Sequence, residues 1–169
     1  MNQVIAITVL FVMIAVKGWA QPAVTAQAYA EVIEALTAEE TNQLNFGRFS
    51  PETGGGRIVL SSEGVRTAQG SVILAGGFSQ PGSFTITGAP GATFTIQLPQ
   101  GSAWLLHQSG NKTLEVLEWT SNPPAGSGTG VLTGGQEIVT VGATLLVGSP
   151  EDIPAGIYTG TFTLTFAYN

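Results

Sequence analysis

The chain has no cysteine in 169 residues. No disulfide can offset a thin core, so the core itself, or a strand from a partner, must hold the fold. Histidine and aspartate each occur once, as His107 and Asp152. A Ser-His-Asp triad is formally available, but no G-x-S-x-G elbow accompanies it. His107 reads as a strand-end residue beside a turn. A metal site would need it together with scattered glutamates, and no ligand spacing supports one. Adjacent Glu151 and Asp152 read as solvated loop carboxylates. Glu115 and Glu118, three apart on a strand, point to opposite faces and make a poor acid/base pair. Gly54, Gly55 and Gly56 precede no helix and no Lys-Ser/Thr, so they are not a phosphate loop. The expectation is a non-enzymatic protein with no cofactor and no metal.

Charge is also scarce. Charged residues are 9% of the chain, against about 25% in an average soluble domain. The surface must instead be Ser, Thr, Gln, Asn and backbone. Residues 4–16 form an apolar run of 13 residues, short for a bilayer span. Small residues at Gly18 and Ala20 follow it, which reads as a secretory signal cleaved after Ala20. An uncleaved anchor is the alternative, since Lys17 lies after the run and no basic residue precedes it. Cleavage would leave 149 residues, the size of one domain, with four basic side chains against 11 acidic ones. The resulting charge of about −7 argues against nucleic acid or an anionic membrane as partner. Export through the periplasm to the cell surface or medium is expected.

What the chain has in quantity is glycine, 23 residues, with nine prolines spread among them. They punctuate short alternating segments. Strands are expected at 44–49, 57–60, 65–68, 71–74, 83–87, 93–98, 103–107, 112–120, 135–141 and 143–147. The segments 83–87 and 93–98 read as the clearest hairpin, with Phe84 and Ile86 facing Phe94, Ile96 and Leu98. The segments 135–141 and 143–147 read as a pair hinged at Gly142. Residues 37–42 read as a polar connection, with one helical turn as an option, and 121–129 as a loop. The class is all-β, an immunoglobulin-like antiparallel β-sandwich over 37–169. Trp104 and Trp119 are candidates for lining a sugar site or for the core. Asn111, Lys112 and Thr113 match a glycosylation sequon, a pattern common by chance.

The two ends carry the strongest patterns. In the last segment Tyr158, Phe162, Leu164, Phe166 and Tyr168 share one face, interrupted only by Gly160. Thr159, Thr161, Thr163 and Thr165 share the other. That is a half-buried strand, and a long apolar strand at an edge must be paired by something. In residues 21–36, strand periodicity places Val24, Ala26, Ala28, Ala30 and Val32 on one face. Helix periodicity instead groups Tyr29, Val32, Ile33 and Leu36. Both readings stand on sequence alone. A strand there either completes its own domain or pairs with another copy, as in β-augmentation.

The penultimate Tyr168, and Gly156 fourteenth from the end, resemble the close of chaperone–usher pilus subunits. The order AVTAQAYAEVIEAL, LNFGRFSP and AGIYTGTFTLTFAYN is also similar to spore-coat-U-like and archaic pilins. It is most similar to the bacterial domain-of-unknown-function family 4402, over residues 23–169. Many archaic pilins carry a disulfide near the first strand, which this chain lacks. The resemblance implies a surface-fibre subunit, a fimbria-like homopolymer assembled by donor-strand complementation. Val24, Ala26, Ala28, Ala30 and Val32 would be the donor residues. Tyr158, Phe162, Leu164, Phe166 and Tyr168 would line the acceptor groove and meet a chaperone. Its implied partners are other copies or related subunits, a periplasmic chaperone and an outer-membrane usher. The rival expectation is a self-contained secreted sandwich that binds a carbohydrate or protein.

Overall fold

A computed structural model describes residues 24–169. The expected signal segment and its cleavage site lie outside the described residues. The chain divides at Val32/Ile33 into two units. Residues 24–32, the described part of the first, have no regular secondary structure, and every one is exposed. Neither the strand nor the helix expected for 21–36 is formed over 24–36.

The second unit is all-β and antiparallel. Its strands are β1 (Thr37–Asn42), β2 (Phe49–Leu60), β3 (Arg66–Leu74), β4 (Gly82–Thr87), β5 (Thr93–Gln97), β6 (Ala103–His107), β7 (Thr113–Asn122), β8 (Gly126–Val131), β9 (Gln136–Val147), β10 (Tyr158–Thr159) and β11 (Thr165–Tyr168). The larger sheet runs β1-β4-β9-β7-β6-β10, with β2 also paired to β9 and β3 to β2. The smaller sheet is β11-β5-β8. The sheets are curled and antiparallel, as in a β-sandwich, and they meet over the cluster of Ile86, Phe94, Ile96, Val139 and Val141.

Strand β9 organises the larger sheet. Its first half pairs with β4 and its second half with β2. Its other edge is covered by β7 along most of its length. The change of neighbour falls at Gly142. A Cβ there would collide with the Leu60 carbonyl and the Ser61 backbone, so only glycine admits β2 and its following turn so closely. Each half of β9 serves its own core. Ala143, Leu145 and Val147 pack with Ile58, Leu60, Leu114 and Val116. Val139 and Val141 pack with Ile86, Phe94, Ile96 and Leu132. Trp119 touches both clusters.

Several local expectations change. The expected hairpin of 83–87 and 93–98 is not one. Strand β4 pairs with β1 and β9, and β5 pairs with β8 and β11. Their apolar faces do meet, but across the core between sheets: Ile86, Phe94 and Ile96 share one cluster, with Phe84 and Leu98 against it. Alternation records the buried face and is silent on the ladder partner. The supposed connection 37–42 is β1, an exposed polar edge strand on β4. The segments 135–141 and 143–147 are one strand. The loop expected at 121–129 contains β8 from Gly126 onward, a glycine-rich strand whose Gly130 leaves room for the Phe94 ring. Segment 44–49 makes only a bridge between Asn45 and Gln80 before β2 begins.

Gly142→Ala is expected to destabilise the protein by about 1–3 kcal/mol, toward the upper end because the obstacle is backbone. A thermal or urea unfolding curve reads this directly.

Candidate functional site

The last segment does not form one strand. Tyr158 and Thr159 pair with His107 and Leu106 on the larger sheet. Residues 165–168 pair with 97–94 on the smaller sheet. Between them, residues 160–164 belong to no ladder. The alternation nevertheless continues through the crossing: Phe162 and Leu164 are half-buried, while Thr161 and Thr163 are exposed.

Beside this crossing lies an open groove of about 1200 Å³. One side is the stretch 43–51, irregular as far as residue 48, which brings Leu44, Phe46 and Phe49. The other is 153–162, which brings Ile153, Tyr158 and Phe162. Phe84, Leu105, Leu114 and Leu145 project from the larger sheet between them. The groove therefore opens on the first core cluster, where the three-stranded sheet does not reach.

Both sides are held from behind. Asn45 and Gln80 exchange backbone hydrogen bonds of 2.9 Å. The Arg66 guanidinium donates to the Phe46 carbonyl at 2.8 Å and to the Arg48 carbonyl at 3.4 Å. On the other side the Tyr158 hydroxyl donates to the Pro154 carbonyl at 2.8 Å. His107 accepts from the Ser109 N–H at Nδ1, so its Nε2–H faces the Ala155 carbonyl at 3.3 Å. Its ring stands edge-to-face on Tyr158 at 4.9 Å. Gly156 lies under this imidazole, where a Cβ would strike Nε2. Burial raises the Tyr158 phenol above its ordinary value.

Of the five residues expected to form an acceptor face, Tyr158 and Phe162 line the groove. Tyr158 also packs on the first cluster, and Phe162, Leu164, Phe166 and Tyr168 all pack on the second. The Tyr168 hydroxyl accepts from the Ala89 N–H at 2.7 Å and donates to the Glu34 carbonyl at 2.8 Å. It thus fixes the chain just before β1. Val24, Ala26, Ala28, Ala30 and Val32 are all exposed.

The remaining candidates separate. Trp119 stacks on Phe162 at 4.7 Å and donates its indole N–H to the Gly101 carbonyl at 2.9 Å. Trp104 is 56% exposed. Glu118 pairs with Arg57 at 3.3 Å, whereas Glu115 accepts from the Ser102 hydroxyl. The Ser149 hydroxyl caps Asp152 at 2.8 Å, and Glu151 is exposed. Among the described residues no group of three His, Cys, Asp or Glu side chains could hold a metal ion. Among them, too, no helix is long and apolar enough to cross a membrane. Sequence reasoning missed the groove contributions of Leu105 and Ile153. Nothing in the alternation of 103–107 marks which face meets a groove.

The fold and groove define an all-β, sandwich-like domain with an unpaired stretch beside a groove lined by buried and half-buried apolar side chains. A protein-family model described as "Domain of unknown function (DUF4402)" matches residues 36–168, and the chain belongs to that family. No curated protein and no solved structure matches it.

Tyr158 gives a pH prediction. Its folded value lies above the ordinary 10.0, so above about pH 10 the folded state holds a proton that the unfolded state releases. Stability falls there as pH rises. Tyr158→Phe should remove that part of the alkaline loss, seen by comparing melting temperatures at pH 8 and in steps above about pH 10.

Proposed function

We propose that the protein is a non-enzymatic structural subunit of a surface fibre, assembled by strand addition between copies. The groove of about 1200 Å³ beside the unladdered residues 160–164 carries this reading. An extended apolar segment laid there would meet backbone at 160–164 and apolar side chains from both sides. The occupant is residues 24–32 of a second copy. In this chain they are exposed and belong to no strand, and as a strand they would present Val24, Ala26, Ala28, Ala30 and Val32 on one face.

The energetics are those of many small terms. Two valines contribute roughly 1.5–3 kcal/mol each on burial and three alanines about 0.8 each. Main-chain hydrogen bonds add about 0.5–1.5 kcal/mol apiece. Such a contact uses different surfaces on the two partners, so it propagates instead of closing. Before assembly the same groove would suit the strand of a periplasmic chaperone, with release at an outer-membrane usher. The positions of Gly156 and Tyr168, which resemble the close of pilus subunits, motivate this route to the surface.

Ala28→Asp places a carboxylate at the centre of the donated strand. It is expected to abolish heat-sensitive ladders on unheated denaturing gels, and fibres by negative stain, while the melting temperature of the single subunit stays unchanged. Normal fibres from this variant would overturn the donor assignment. A full chain that remains a monomer at high concentration would overturn the fibre itself.

A further inference from the structure

A second cleft, of about 550 Å³, lies between the turn from β5 to β6 and the crossing residues 161–165. It shares only Thr161 and Phe162 with the groove. One side carries the hydroxyls of Thr161, Thr163 and Thr165, all exposed and on one face of the segment. The other carries the amides of Gln97 and Gln100, also exposed, and the indole of Trp104. None of the side chains lining it is charged.

The contrast between the two nearby tryptophans is informative. Trp119 is committed, with its ring on Phe162 and its N–H on Gly101. Trp104 faces solvent over more than half its surface, so its indole is accessible to a ligand, with an apolar face and an N–H. Its cross-strand neighbour is Glu115, whose carboxylate is held by the Ser102 hydroxyl.

We propose that this cleft binds a neutral oligosaccharide, with one sugar ring stacked on Trp104 and its hydroxyls on the Gln and Thr side chains. A pyranose offers an apolar face of C–H groups to an indole and a rim of hydroxyls that both donate and accept. Amides and threonine hydroxyls match that rim in both senses. The lack of charge in the lining, and the Glu115 carboxylate beside Trp104, select against acidic glycans. The cleft meets the groove at Thr161 and Phe162, but neither Trp104 nor Gln100 lines the groove, so changes at these two residues test the cleft separately from the fibre reading.

The test is calorimetric titration of the full chain with cellotetraose, maltotetraose and chitotetraose, and with a heparin tetrasaccharide as the acidic probe. At least one neutral probe is expected to bind with a Kd of about 1 mM or tighter. Trp104→Ala should weaken it at least about tenfold, and Gln100→Ala, in an exposed turn, should weaken it by a smaller factor. Trp104→Phe, which keeps an aromatic face and guards against loss of folding, should retain most of the binding. The proposal is overturned if no neutral probe binds at about 10 mM, ten times the expected Kd. Binding by the heparin fragment alone, or neutral binding unaffected by Trp104→Ala and Gln100→Ala, overturns it equally.

Discussion

A backbone amide or carbonyl gains little net stability from water and more from a ladder partner, about 0.5–1.5 kcal/mol per bond. The last segment of this chain leaves one ladder at Thr159 and joins another at Thr165. The five residues between are in neither. Their side chains still alternate as in a strand, with Phe162 and Leu164 turned inward. The alternation is that of a strand without a ladder partner. It coincides with the place where core side chains of the larger sheet face an opening instead of another sheet. An unpaired backbone and a groove lined by half-buried apolar side chains in one place can both be satisfied by a single extended segment.

The rest of the domain keeps this opening in shape. Strand β9 spans both cores and changes neighbours at Gly142. Trp119 joins the clusters, and its stack on Phe162 holds the crossing segment down. Arg66 fixes the carbonyls of 46 and 48 on one side, while His107 and Gly156 fix the loop on the other. Tyr168 ties Ala89 to Glu34. Residues 24–36 have no regular secondary structure.

The all-β class and most strand positions were legible because period-2 alternation follows from one buried face. Strands 83–87 and 103–107 lie within a residue of their expected ends. Pairing was not legible. Residues 83–87 and 93–98 have the composition and turn of a hairpin, yet the turn carries the chain from one sheet to the other. The apolar faces are the same in both cases, so the sequence does not separate them. Strand β8 was hidden by its glycines, of which Gly130 makes room for the Phe94 ring by absence of side chain. The apolar face at 158–168 was visible, but its division was not. All five pack against a core cluster, but only Tyr158 and Phe162 also line the groove. That division follows from the crossing at Gly160, which sits against the Trp104 carbonyl.

The most direct test is amide hydrogen exchange on a chain beginning at Ile33, with and without a synthetic peptide of residues 21–36. The account predicts fast exchange at 160–164 in the free domain, slowed when the peptide binds, with β9 protected in both states. Amides at 160–164 already protected without the peptide, or unchanged by it at saturating concentration, would contradict it.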